Sequence, residues 1–144
     1  MAARRLIPIT ERQIMIEFYW PVSNGEWMAF SSAAVTVFFG ALSLVFPRWT
    51  LNLLRLRTQA DFPQAVSEMR ATLAGFYLGL GGAAILLAQP FIYLALGAAW
   101  VMTAFGRLVS VVLDRGFNTY NVVSIMVESV LAGLALVYAL GYVA

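Results

Sequence analysis

The sequence predicts an all-α integral membrane protein, a four-helix bundle with a short interfacial helix in its first loop. Three observations predict it. Hydrophobic residues make up 62% of the 144 residues and charged residues only 11%. An ordinary soluble protein carries roughly 25% charged residues, and a soluble fold of this length has no interior large enough to hide so much apolar surface. The apolar residues fall in four stretches, about 27–46, 71–89, 91–113 and 120–143, each close to the ~20 residues needed to cross a ~30 Å hydrocarbon layer. Inside those stretches the only ionisable acid or base residues are Arg107 and Glu128. Chain length fits one domain.

Composition also restricts the chemistry. Cysteine and histidine are both absent, which excludes disulfides, thiolate metal sites, haem attachment, thiol nucleophiles and imidazole acid–base catalysis by this chain. Of the seven carboxylates, Glu11, Glu17, Glu26, Asp61 and Glu68 lie outside the apolar stretches, and Asp114 closes one of them. The nine basic residues are all arginine. Arginine's forked, permanent charge suits phosphate and carboxylate contacts, and a GC-rich genome produces the same bias. A net charge of +2 is too small to argue for nucleic acid as a partner.

Residues 1–26 form an N-terminal tail or interfacial segment. Arg4 and Arg5 resemble the start of a secretory signal, but Pro8, Glu11, Arg12 and Glu17 interrupt the apolar run that a signal requires. The first span is therefore expected to be retained. Ile14, Phe18 and Pro21 fit one face of an interface-hugging segment with Trp20 at headgroup level. A partly ordered tail is the alternative, and residues 23–25 read as a turn.

Trp27 to Phe46 carries no charge. Ser32, Thr36, Gly40 and Ser43 recur at helical spacing and make a stripe of small residues, the kind of face that lets helix backbones approach in lipid. Pro47 ends the span. In the 47–70 loop, Trp49, Leu53 and Leu56 share one helical face with Arg48, Arg55 and Arg57 between them. That pattern fits a short helix lying in the interface, or a plain loop whose arginines set topology.

The second span carries Gly75 and Gly79 as a GxxxG continued by Gly82. The expected role is helix packing, shared with Gly40, with a cleft for a lipid or flat cofactor as the alternative. Gln89–Pro90 predicts a tight turn, making the second and third spans antiparallel neighbours, and Pro90 suits a first helical turn. Along the third span Thr103, Arg107, Ser110 and Asp114 form one polar stripe, and Asn121, Ser124 and Glu128 form another along the fourth.

Depth brings the charges together. Arg107 lies seven residues before Asp114, and Glu128 nine residues after Thr119, on either side of the same turn. In an antiparallel hairpin both sit ~10–13 Å from that end. Arg70 opens the second span on the same side, so Glu68, Arg70, Arg107, Ser110, Asp114, Arg115 and Glu128 are expected in one leaflet as a polar cluster. An intramembrane charge costs ~2.5–3.5 kcal/mol on insertion scales and usually finds a partner. Arg107–Glu128 or Arg70–Glu128 pairing, a ligand or proton site, and unpaired snorkelling of Arg107 all fit.

The run S-E-M-R-A-T-L-A-G-F-Y-L-G-L-G at residues 67–81, with G-R-L-V-S-V-V-L-D at 106–114 and a glutamate inside the last span, resembles an uncharacterised family. Its members are small four-helix bacterial integral membrane proteins, known only as a domain of unknown function. The resemblance covers roughly residues 28–143 and implies the fold, with Glu68, Arg70, Arg107, Asp114 and Glu128 as the matching polar positions. It implies no activity.

Five arginines near span ends lie on the side of the 47–70 loop, against three on the terminal side. The positive-inside rule then favours that loop in the cytoplasm and both termini outside, and the resemblance implies a bacterial inner membrane. The functional expectation is a small non-catalytic protein, an accessory or scaffolding subunit of a larger membrane complex or a homo-oligomer. The alternative is a binding protein or carrier for a lipophilic or anionic small molecule, a lipid or quinone; no other cofactor is evident. A membrane enzyme using Glu128 as acid or base ranks last, since no further catalytic group accompanies it.

Overall fold

A computed structural model describes residues 18–58 and 63–143; the expectations for the first 17 residues and for Asp61 lie outside them. Five helices follow one another: α1 (Asn24–Val45), α2 (Pro47–Leu53), α3 (Gln64–Leu87), α4 (Pro90–Leu113) and α5 (Thr119–Ala139). No strand occurs among the described residues. All but α2 are long and apolar enough to cross a membrane, as an integral membrane protein requires. Around the bundle the order is α1, α3, α4, α5, with α1 packed on α3 and α5, and α4 packed on α5. The contact between α3 and α4 is much the loosest side of that ring. The two helices are neighbours, as the tight turn implies, but they share little surface.

Local chemistry explains the helix ends. The S-x-x-E sequence at Ser23–Glu26, read above as a turn, is a capping box. Ser23 Oγ accepts from Glu26 N–H at 3.2 Å, and Glu26 Oε2 accepts from Ser23 N–H at 3.1 Å. It starts α1 at Asn24, ahead of the apolar stretch. Gly25 abuts the backbone of Val143, which sets the start of α1 and the end of the chain on one side. Pro90 opens α4, and Ala88 turns the chain in the left-handed region at φ 48°.

Arg55 and Arg115 end α2 and α4 in that same region, at φ 57° and 54°. Leu56 N–H donates to Leu51 O at 2.8 Å, and Gly116 N–H to Ser110 O at 3.2 Å, closing both helix ends. A residue with a Cβ costs ~1–2 kcal/mol there, where glycine is the usual occupant.

The second span begins at Gln64, earlier than its apolar stretch. Between Met69 and Leu73 the helix widens by one residue, with Ala74 N–H donating to Met69 O. Met69 and Ala74 are both buried. In an unbroken α-helix residues five apart point ~140° away from each other. The wide turn absorbs the extra residue and brings both onto the face that meets α1.

The small-residue stripe of α1 is the centre of the bundle. Ser32 and Thr36 are fully buried, and Trp100 is 4% exposed. Trp100 Nε1–H donates to Thr36 Oγ1 at 2.9 Å, Thr36 Oγ1–H to Ser32 O at 2.8 Å, and Ser32 Oγ–H to Leu131 O at 2.8 Å. The chain of bonds ties α4, α1 and α5 together and leaves each of these polar groups satisfied. Around it pack Ala29, Ala33, Ala84, Tyr93, Leu96 and Ala132.

Gly40 is a true close-approach residue. A Cβ there would stand 2.9 Å from Leu78 N. Gly75, Gly79 and Gly82 are different: an added Cβ at any of them meets nothing within 4 Å. Among the described residues, then, the GxxxG of α3 packs against nothing. The α1-facing side of α3 is made instead by Ala74, Leu78 and Gly81, the last lying against Ala33 and Val37. In α2, Pro47, Thr50 and Leu51 turn inward while Trp49, Leu53 and Leu56 stay exposed, which leaves an apolar surface on the short helix.

Candidate functional site

The charged side chains of α4 and α5 meet about two helical turns in from the loop that joins them. Arg107 Nε donates to Glu128 Oε1 at 2.6 Å, the single ion pair among the described residues. Antiparallel packing of α4 on α5 produces it, because the two residues are nearly equidistant from the turn. Asn118 caps α5 by accepting from Asn121 N–H at 3.0 Å. Asn121 Nδ2 donates to Gly116 O at 2.7 Å and its Oδ1 receives a long 3.4 Å contact from Arg107 Nη1. The turn, its cap and the ion pair thus form one connected network.

The pair is asymmetric. The Glu128 side chain is 6% exposed and that of Arg107 26%. Glu128 Oε2 is buried with no hydrogen-bond partner among the described residues, a costly arrangement for a carboxylate oxygen. Arg107 binds Glu128 through Nε alone, so the outer edge of its guanidinium carries spare donors. Beside it stands Tyr120, whose ring centroid lies 5.7 Å from Arg107 Cζ and 5.4 Å from Arg55 Cζ. Both distances are in the range of cation–π contact.

The expected cluster is only partly assembled. Arg107 and Glu128 meet, and Ser110 lies close by, its carbonyl accepting from Asp114 N–H and Gly116 N–H at 2.9 and 3.2 Å. Arg70 is elsewhere: its Nε donates to Leu44 O at 3.1 Å, satisfying a carbonyl at the end of α1. Glu68 accepts from Thr72 Oγ1 at 2.8 Å on its own helix. Asp114 and Arg115 are exposed at the end of α4. Because the backbone of α3 stays more than 8 Å from that of α5 and Arg70 and Glu68 bond elsewhere, these charges share a membrane level with the pair but not a site. Three members of the site, Tyr120, Asn121 and Arg55, were outside the expected cluster. The polar stripe of α5 included Asn121, the position of Tyr120 at a helix start is a signal for the interface that was not read, and nothing in the spacing brings Arg55 to the site.

Chemically, the arrangement can hold a charge inside the apolar layer, offer arginine donors to an anion, and accept a hydrogen bond at Glu128 Oε2. Among the described residues no three carboxylates gather as metal ligands do. No curated protein and no solved structure matches the chain. A family model does match, over residues 26–139, and it spans both segments that carry the resemblance and the whole Arg107–Glu128 hairpin. The chain belongs to the family described as a domain of unknown function (DUF4345).

Proposed function

We propose that this protein is a small non-catalytic accessory or scaffolding subunit, docked through α3 on a larger membrane protein or on a second copy of itself. The observation that carries the reading is the open glycine face at Gly75, Gly79 and Gly82. Each glycine inside a helix costs ~0.5–1 kcal/mol relative to alanine. At Gly40 and Gly81 that cost is offset by close helix contact within the chain. On the outer face of α3 no described residue supplies that offset, and a closely approaching helix of a partner would. The absence of histidine and cysteine supports a role without catalysis. In the bacterial inner membrane that the resemblance implies, the arginine balance supports the 47–70 loop in the cytoplasm.

The test is a mild-detergent pull-down of the tagged protein with mass spectrometry of proteins and lipids. A stoichiometric protein partner or self-association, lost in Gly79→Leu while the chain stays folded, is the expected result. A lone monomer in gentle extracts overturns the reading.

A second reading has its own observation. The half-buried Arg107, with spare donors, and the unpartnered Glu128 Oε2 favour a binding protein or carrier for a lipophilic or anionic molecule such as a lipid or quinone. Such a molecule would co-purify and be lost in Arg107→Ala.

A further inference from the structure

We propose that Arg55 and Arg107, converging on Tyr120, hold the phosphodiester of an anionic membrane lipid. The inference rests on the second reading above and names its ligand class and its second arginine. Four observations carry it.

The first is charge. Two guanidiniums lie 5.4 and 5.7 Å from one ring, and among the described residues the single carboxylate paired with either is Glu128, bound to Arg107. The group Arg55, Arg107 and Glu128 is left with one positive charge, which a monoanionic phosphodiester neutralises. A dianion or a neutral headgroup does not match that balance. Glu128 takes Nε and Asn121 only a long 3.4 Å contact from Nη1, which leaves donors on the outer edge of Arg107, and guanidinium forks suit phosphate oxygens.

The second is location. Tyr120 is the second residue of α5, so the site lies at a helix N-terminus, where the free N–H groups and the dipole favour an anion. Tyr120 and Arg55 lie at the level of the helix ends, where headgroup phosphates sit, and Arg107 reaches the Tyr120 ring from about two turns deeper along α4.

The third is the backbone at Arg55. This arginine ends α2 at φ 57°, a conformation in which glycine is cheaper. Ala88 and Arg115 share that conformation, so what singles out Arg55 is the contact its side chain makes with Tyr120. Here the left-handed turn aims the chain so that the guanidinium reaches Tyr120 on a different helix.

The fourth is the flank. Trp49, Leu53 and Leu56 on and beside α2 are all more than half exposed. They offer acyl-chain contact next to Arg55, which a free phosphate ion has no use for.

Arg115 supplies a matched control. It also ends a helix in the left-handed region, at φ 54°, on the same membrane side, yet it makes no cation–π contact with the Tyr120 ring. Arg55→Gly and Arg115→Gly therefore relieve the same backbone strain and remove the same charge. Arg107→Ala strands Glu128, so the companion variant is Arg107→Gln with Glu128→Gln, which removes both charges together.

The experiment uses the full chain, delipidated in mild detergent and offered an equal mixture of phosphatidylglycerol and phosphatidylcholine. Retained lipid per chain is counted by native mass spectrometry, with thermal stability measured in parallel. Phosphatidylglycerol should be retained over phosphatidylcholine. Arg55→Gly should lower that retention about five-fold, the effect of one interfacial arginine, while Arg115→Gly leaves it unchanged. Equal losses in the two glycine variants would mean diffuse surface charge and would overturn the proposal, as would no loss in either. Inorganic phosphate that displaces the lipid, or protects the fold equally well, overturns the lipid as the source. If retention survives Arg55→Gly but is lost in the Arg107→Gln, Glu128→Gln variant, the second reading stands and the two-arginine site does not.

Discussion

Arg107 and Glu128 illustrate how one side chain can be held in place by the cost of losing it. With Arg107→Ala, Glu128 is left buried without its cation, a loss of ~3–5 kcal/mol in comparable buried pairs. The expected outcome is a large drop in the unfolding midpoint in mixed detergent, and a stability equal to the natural protein would show that the pair contributes nothing. Glu128→Gln should be milder, because Oε1 can still accept from Arg107 Nε and no bare charge remains. The pair itself was legible from spacing alone, since equal distances from one turn bring two residues of a hairpin together. Tyr120 and Arg55 were not, because 65 residues separate them in the sequence. Their meeting depends on how α2 folds back across the helix ends, which no periodicity reports.

At the scale of helices, the glycines divide into two kinds that the sequence does not distinguish. Gly40 faces Leu78 and Tyr77 at the α1–α3 crossing, whereas Gly79 faces open space. Gly40→Leu should therefore strongly destabilise the isolated protein by overpacking, by at least ~1–3 kcal/mol. Gly79→Ala should raise its stability by up to ~1 kcal/mol through helix propensity. Thermal unfolding of the two variants in one detergent decides it: equal losses would place Gly79 in a packed interface after all. Periodicity identifies which residues share a face, but not what that face meets. The GxxxG was visible in the sequence, and its neighbour was not. The wide turn at Met69–Leu73 bears on the same point. By rotating the helix it sets Ala74, Leu78 and Gly81 toward α1, and Gly75 and Gly79 away from it.

Taken whole, the molecule has its span count written in composition and its ring order written in packing. Four apolar stretches and the charge-poor interior were readable directly. The loose α3–α4 side was not, since a two-residue turn says that helices are adjacent and says nothing of how closely they pack. Four spans put Thr58 and Gly141 on opposite membrane faces. The chain contains no cysteine, so Thr58→Cys and Gly141→Cys each give a single label site without further engineering. A membrane-impermeant maleimide should reach one in sealed vesicles and the other only after the vesicles are opened; labelling of both from the same side would refute four crossings. One last property follows from the hydrogen bond between Trp100 and Thr36. Trp20, Trp27 and Trp49 lie on the outside, and Trp100 alone is enclosed. With the outer three replaced by phenylalanine, its fluorescence becomes an intrinsic optical gauge. Emission colour and lifetime would then follow, in real time, whether α1 and α4 remain joined as lipids, detergents or partners come and go.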